Sequence, residues 1–223
     1  MTTKRTYGES CAAAHALDLV GERWALLIVR ELILGPKRFT DLRAGILHAS
    51  SNVLAQRLRE LEEAAVVRRR KLPPPAAATV YELSDWGQEL EPVLAALGHW
   101  GARSPHRPPD AGMSLDATVL ALRTMFSPAA AKGLRATYAL QVGEHAFRVR
   151  IAGGRMELER GEAPDPDATL EADQRTLGAL ALTGLPLTEA LAAGTARVTG
   201  DEAALERFLT LFPLPEPVAA AAA

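Results

Sequence analysis

Between Ser50 and Lys71 the chain carries the side chain types that read and grip a DNA duplex. Asn52, Gln56, Arg59 and Glu63 recur at helical spacing, so they share one stripe of a helix, with Ser51, Ala55 and Arg57 beside it. Asn and Gln pair bidentately with adenine, and Arg with guanine, in the major groove. A recognition helix presents its first turns to the bases, and these residues stand in those turns. Ser50 and Ser51 lie at the helix start, where hydroxyls and free main-chain N–H groups hold a phosphate. Arg68, Arg69, Arg70 and Lys71 follow on a β-prone run. Alternate side chains of a strand face opposite ways, so at least two of these four cations should reach the duplex. Lys37, Arg38 and Thr40 open the preceding helix and add candidate phosphate contacts. The competing reading is an amphipathic helix with a solvated polar face, followed by a charged hairpin.

Other chemistry finds little support. His15, His48, His99, His106 and His145 are scattered without metal-ligand spacing. No phosphate-cradling glycine loop or serine-nucleophile elbow occurs, so no catalytic residue, metal or cofactor is expected. Cys11 is the single cysteine, which excludes an internal disulfide and suits a reducing cytoplasm. No apolar run approaches the roughly 20 residues that span a bilayer, and no apolar signal segment follows Lys4 and Arg5. A cytoplasmic location without membrane contact is therefore expected. The net charge of −2 hides an asymmetry. Residues 1–107 hold 15 Lys and Arg against 12 Asp and Glu, whereas residues 108–223 hold 10 against 15. A mildly basic half joined to an acidic half suits a nucleic-acid module beside one of another kind.

The elements that must position the polar stripe follow from periodicity. Leu17, Val20, Trp24, Leu27, Ile28 and Leu32 mark one helix, stopped by Gly35-Pro36. Thr40 is the expected N-cap of a short second helix that ends at Gly45. A third helix runs from Ser50-Ser51 to about Ala65, with Leu54, Leu58, Leu61 and Ala65 as its buried stripe. Residues 66–72 and 79–83 read as a β hairpin around Pro73–Ala78. Ser84-Asp85 caps a long helix through Trp100. Helix, helix, helix, strand, strand, helix is the order of a winged helix-turn-helix. The Pro- and Gly-rich stretch 105–112 reads as a linker, and 213–223 as a tail.

Cys11, the run Ala16–Leu32, Gly35–Leu42, Leu54–Glu62 and Tyr81–Gly87 closely resemble the HxlR-type regulators, relatives of MarR. The resemblance covers about residues 8–104. It implies a DNA-binding regulator that acts as a symmetric homodimer on a palindromic operator in double-stranded DNA. It also implies that the N-terminal segment and the 85–102 helix build the dimer interface. The wing departs from the family pattern at Pro73–Ala78, which is less polar. Cys11 stands where this family often has a cysteine, through which some members sense oxidants or electrophiles. It is a redox candidate, although Ala12-Ala13-Ala14 supplies no activating partner and an incidental cysteine is the simpler reading.

The second half reads as an α+β domain over 113–212, an antiparallel sheet covered by helices. A helix spans 114–126. Strands follow over 137–142, 146–151, 155–159 and 168–172, then helices near 174–183 and 187–193. A strand at 197–199 and a helix from Asp201 to about Leu211 complete it. Ala168–Asp173, Leu177–Leu180, Ala190–Gly194 and Val198–Asp201, ahead of Leu205 and Phe208-Leu209, are similar to the sterol-carrier-protein fold. That resemblance implies a tunnel for an apolar ligand, lined by Met125, Phe126, Tyr138, Phe147, Leu180, Leu182, Phe208 and Phe212. The alternative is that these are ordinary core residues. The leading reading is a regulator controlled by an apolar small molecule in this domain. A lipid-carrier or enzymatic domain tethered to DNA is the alternative of another class.

Overall fold

A computed structural model describes residues 6–75, 77–106 and 112–219. The chain divides into two units, one of residues up to 94 with 112–117, the other of 95–111 with the residues from 118 onward. Most of the expected linker, 107–111, and the end of the expected tail, 220–223, lie outside the described residues.

The first unit contains α1 (Ala12–Val20), α2 (Ala25–Ile33), α3 (Phe39–Gly45), α4 (Ser51–Glu63), β1 (Val67–Lys71), β2 (Thr79–Leu83) and α5 (Asp85–Gln88). The single helix expected over 17–32 is thus two. Gly21 caps α1 by donating its N–H to the Leu17 carbonyl at 2.8 Å. Trp24 then takes a left-handed conformation (φ 78°) as the N-cap of α2. That conformation is uncommon for a side chain of this size. Trp24 also packs against the core, so the apolar period runs on across the break and hides it from a periodicity reading. Ile28, Val29 and Leu32 of α2 meet Leu42 of α3 and Leu54, Leu58 and Leu61 of α4 in one buried cluster.

Thr40 is not the N-cap of α3. The cap is Arg38, whose N–H donates to Asp41 Oδ2 at 3.1 Å, and Thr40 is the second residue of the helix. Ser50 caps α4 as expected, accepting the Val53 N–H on its hydroxyl at 3.3 Å. β1 and β2 pair antiparallel with Arg69 opposite Tyr81. Lys37 extends this ribbon, exchanging main-chain hydrogen bonds of 2.9 and 2.8 Å with Tyr81.

The long helix expected after Ser84 is also two, α5 and α6 (Leu90–Ala102). Pro92 explains the interruption, since it offers no N–H to the Gln88 carbonyl one turn earlier. No residue of α6 is buried.

The second unit carries most of α7 (Leu115–Met125), then β3 (Ala136–Val142), β4 (His145–Ala152), β5 (Arg155–Arg160) and β6 (Ala168–Ala172). It ends with α8 (Gln174–Leu182), α9 (Leu187–Ala192), β7 (Ala196–Gly200) and α10 (Glu202–Leu209). The five strands lie in the order β5-β4-β3-β6-β7. The α+β class holds, but the sheet is mixed, because β3 and β6 run parallel. The Asp167 N–H donates to the Thr137 carbonyl (2.8 Å), and its carboxylate accepts the Thr137 N–H (2.7 Å). These two bonds dock the start of β6 beside the start of β3. Period-two alternation marks both strands yet carries no information on their relative direction.

Along β3 the buried residues Ala136, Tyr138, Leu140 and Val142 alternate with half-buried ones. The Tyr138 ring meets Phe208 of α10 at 4.7 Å between centroids, and its hydroxyl donates to the Ala204 carbonyl at 3.1 Å.

Candidate nucleic-acid interface

Burying Leu54, Leu58 and Leu61 turns the opposite side of α4 to solvent. Asn52 and Arg59 are exposed there, and Gln56 is half-buried between them. The Gln56 amide is held at both ends. Its Nε2 donates to Glu60 Oε1 at 2.7 Å, and its Oε1 accepts from Arg59 Nη2 at 2.6 Å. The helix thus presents Asn52 without a side-chain partner among the described residues, and Gln56 with Arg59 as a joined pair.

Arg57 takes no part in this face. Its side chain is 17% exposed and pairs with Glu60 and with Glu22, the latter at 3.6 Å. Val53 stands beside Asn52 and is exposed, which the sequence reading passed over. Its place outside the leucine stripe is the signal that could have found it, and a side chain of this kind suits a thymine methyl. Arg43, exposed in the last turn of α3, was passed over likewise.

The four wing cations are exposed but largely compensated. Arg68 and Arg70 lie on the same face of β1, and each donates through Nε to one oxygen of Glu82 at 2.8 Å. Arg69, on the other face, reaches Glu62 Oε1 at 2.7 Å. Burial works against ionisation of Glu82, but hydrogen bonds from Arg70 and Arg68, with their charges, hold its carboxyl below the ordinary glutamate value. Lys71 has no ion pair among the described residues.

Lys37 and Arg38 diverge. Arg38 is exposed, whereas the Lys37 side chain is 14% exposed, with its ammonium 2.6 Å from Glu31 and 2.8 Å from Asp116. Lys37 is therefore engaged inside the unit rather than offered to a phosphate. Burial opposes ionisation of Glu31, but the Lys37 hydrogen bond and charge, helped by Ser114 and Arg30, lower its carboxyl below the usual value.

Cys11 is exposed at the N-cap of α1. The main-chain amides of Ala14 and Ala13 lower its thiol below the ordinary cysteine value, against an opposing effect of desolvation. The Cys11 side chain makes no capping hydrogen bond to the start of α1.

Of the eight residues expected to line a tunnel, seven are buried and Phe126 is half-buried. Phe208 and Phe212 meet edge to face at 5.0 Å, and Phe126 lies 6.5 Å from Phe212. A cleft of about 330 Å³ elsewhere in this unit is lined by none of the eight; Pro128, Lys132, Arg135 and Gly154 are among its walls.

Comparison with known proteins agrees with the helix-turn-helix geometry. The HxlR-like helix-turn-helix family matches residues 19–108. The Bacillus subtilis HTH-type transcriptional regulator YvaP is 38% identical over 85 residues, covering 38% of this chain and 79% of YvaP. The reduced form of the B. subtilis regulator YodB is 33% identical, with a TM-score of 0.40, covering 45% of this chain and 99% of that one. The chain belongs to the HxlR-like family and is a DNA-binding transcriptional regulator.

For the second half, the alkyl sulfatase C-terminal family matches residues 111–218, in place of a sterol carrier protein. A double mutant of the sec-alkyl sulfatase PisA1 is similar at 23% identity and a TM-score of 0.38, covering 41% of this chain and 15% of the sulfatase. No helix among the described residues is long and apolar enough to cross a membrane.

Glu82→Gln should release Arg68 and Arg70 and tighten binding to any duplex severalfold. The slope of log affinity against log salt should steepen by about one unit. Fluorescence anisotropy between 50 and 200 mM salt, roughly the range over which such contacts are read, checks this. An unchanged slope would mean the two arginines stand clear of the duplex.

Proposed function

We propose that the chain acts as a homodimer whose two α4 helices enter successive major grooves of a palindromic site. Asn52, Gln56, Arg59 and Val53 meet base edges in this reading. Arg38, Thr40, Ser50, Ser51 and the wing cations meet phosphates. The observation that carries the reading is the outward polar stripe of α4 over a fully buried leucine stripe.

Dimerisation is supported by the apolar side chains left in solvent. Trp86, Val93, Leu97 and Trp100 are exposed, Trp100 by 73%, and the last three recur at helical spacing along α6. Tyr7 and Leu17 add exposed apolar surface near the N-terminus. Such a stripe is normally covered in the working assembly. A second copy satisfies it by symmetry.

In the second unit we infer an effector-responsive role. An apolar effector would have to part the rings of Phe126, Phe208 and Phe212, so it must bind the opened state better than the packed one to act at all. The match to an alkyl sulfatase segment keeps a carrier or enzymatic role as the competing reading of this unit. A thermal-shift screen of the full chain against apolar metabolites separates them. Stabilisation without turnover supports the effector, and conversion of the added compound supports the enzyme.

Cys11 supports a second reading of the signal, because exposure combined with backbone stabilisation of the thiolate is what a reactive cysteine needs. In this reading an oxidant weakens DNA binding by the wild type and not by Cys11→Ser. An equal response of both proteins would exclude it.

The two kinds of contact give opposite expectations on mutation. Gln56→Ala should cost about 1–3 kcal/mol on a selected duplex and little on random sequence. Arg69→Ala should weaken both alike. Equal losses for Gln56→Ala on the two duplexes would remove it from base reading.

A further inference from the structure

Residues Gly112–Ala117 follow the proline-rich stretch, yet they belong to the first unit. What holds them there is charged and buried. Glu31 on α2 is fully buried and Asp116 on α7 is 1% exposed. The Lys37 ammonium bridges the two carboxylates, and Arg30 adds a second cation to Glu31 at 2.9 Å. The Ser114 hydroxyl donates to Glu31 Oε1 and accepts the Ala117 N–H at 3.0 Å, so the same serine starts α7 and fastens it to α2. Gly45 of α3 closes the cluster from another side, since a Cβ there would collide with the Glu31 carboxylate.

Lys37 has a second attachment. Its main chain pairs with Tyr81 of β2, and the next residue is the N-cap of α3. The place of this one residue therefore sets both the entry to α3 and the base of the wing, the two elements that flank α4. Buried charges tolerate poorly the loss of one partner, so a change at Asp116 leaves Lys37 held by Glu31 alone, at 2.6 Å, and free to shift toward α2.

We propose that Asp116 is a positioning residue for DNA reading. By holding Lys37 it fixes α3 and the wing at the spacing that lets α4 address base edges. The winged helix is completed by residues 112–117, beyond the linker. The inference rests on the DNA-reading role of α4 given above.

The test uses the full chain, a duplex that the wild type enriches from a random library, and a scrambled duplex at the same salt. If Asp116 acted only as a distant negative charge, Asp116→Asn would tighten binding to both duplexes. Positioning requires the reverse on the enriched duplex. The ratio of enriched to scrambled affinity should fall about tenfold, with scrambled binding unchanged or slightly tighter. Lys37→Met should lower the ratio similarly, and the double variant should lose no more than either single one. An unchanged ratio in folded Asp116→Asn overturns the proposal. Should that variant not fold, Ser114→Ala, which removes one bond to Glu31, decides by the same ratio. Failure of the wild type to enrich any duplex would overturn the DNA-reading assignment itself, and this inference with it.

Discussion

The leucine stripe of α4 is the constraint on which the first unit depends. Leu54, Leu58 and Leu61 are each at most 1% exposed and pack against α2 and α3. Burying each stabilises the fold by roughly 1.5–3 kcal/mol. Rotating α4 about its axis would surrender that burial and place Asn52 and Arg59 in the core without partners. The helix has one tolerable orientation, and it is the one that shows amides and a guanidinium to solvent.

Around that helix, carboxylates engage the polar and basic side chains of the surface. Glu60 holds Gln56, Glu62 holds Arg69, and Glu82 holds two arginines at once. The arginine ends of these ion pairs are about half exposed, so each pair contributes little to stability. In the proposed reading they limit the net attraction to any phosphate backbone, which leaves more of the discrimination to base contacts. The wing is thus less basic than its four consecutive cations suggest.

Much of this was legible in the sequence, for a definable reason. The 3.6-residue period of Leu54, Leu58 and Leu61 and the alternation of Tyr138, Leu140 and Val142 are local patterns, and local patterns fix elements and faces. The cap at Ser50 was equally local. Apart from the break before α6, which Pro92 signals locally, most departures depend on partners distant in sequence or on the backbone. Lys37 looked like a phosphate ligand because Asp116 lies beyond the linker. Arg57 lies beside the polar stripe in the sequence, on the flank of the leucine stripe, and pairs with Glu22 and Glu60. The break at Trp24 is a backbone conformation that the apolar period conceals, and the parallel pairing of β3 with β6 rests on Asp167 reaching Thr137. Cys11 gains its thiolate stabilisation from main-chain amides, which carry no sequence signature.

The central claim is that α4 docks in the major groove twice per assembly. Methylation interference on a duplex enriched by the wild-type chain tests it most directly, because guanine N7 lies in that groove. The account requires two patches of interference, related by a dyad and centred about 10 base pairs, or a whole multiple of that turn, apart. A single patch, or binding indifferent to methylation of every guanine, would contradict it.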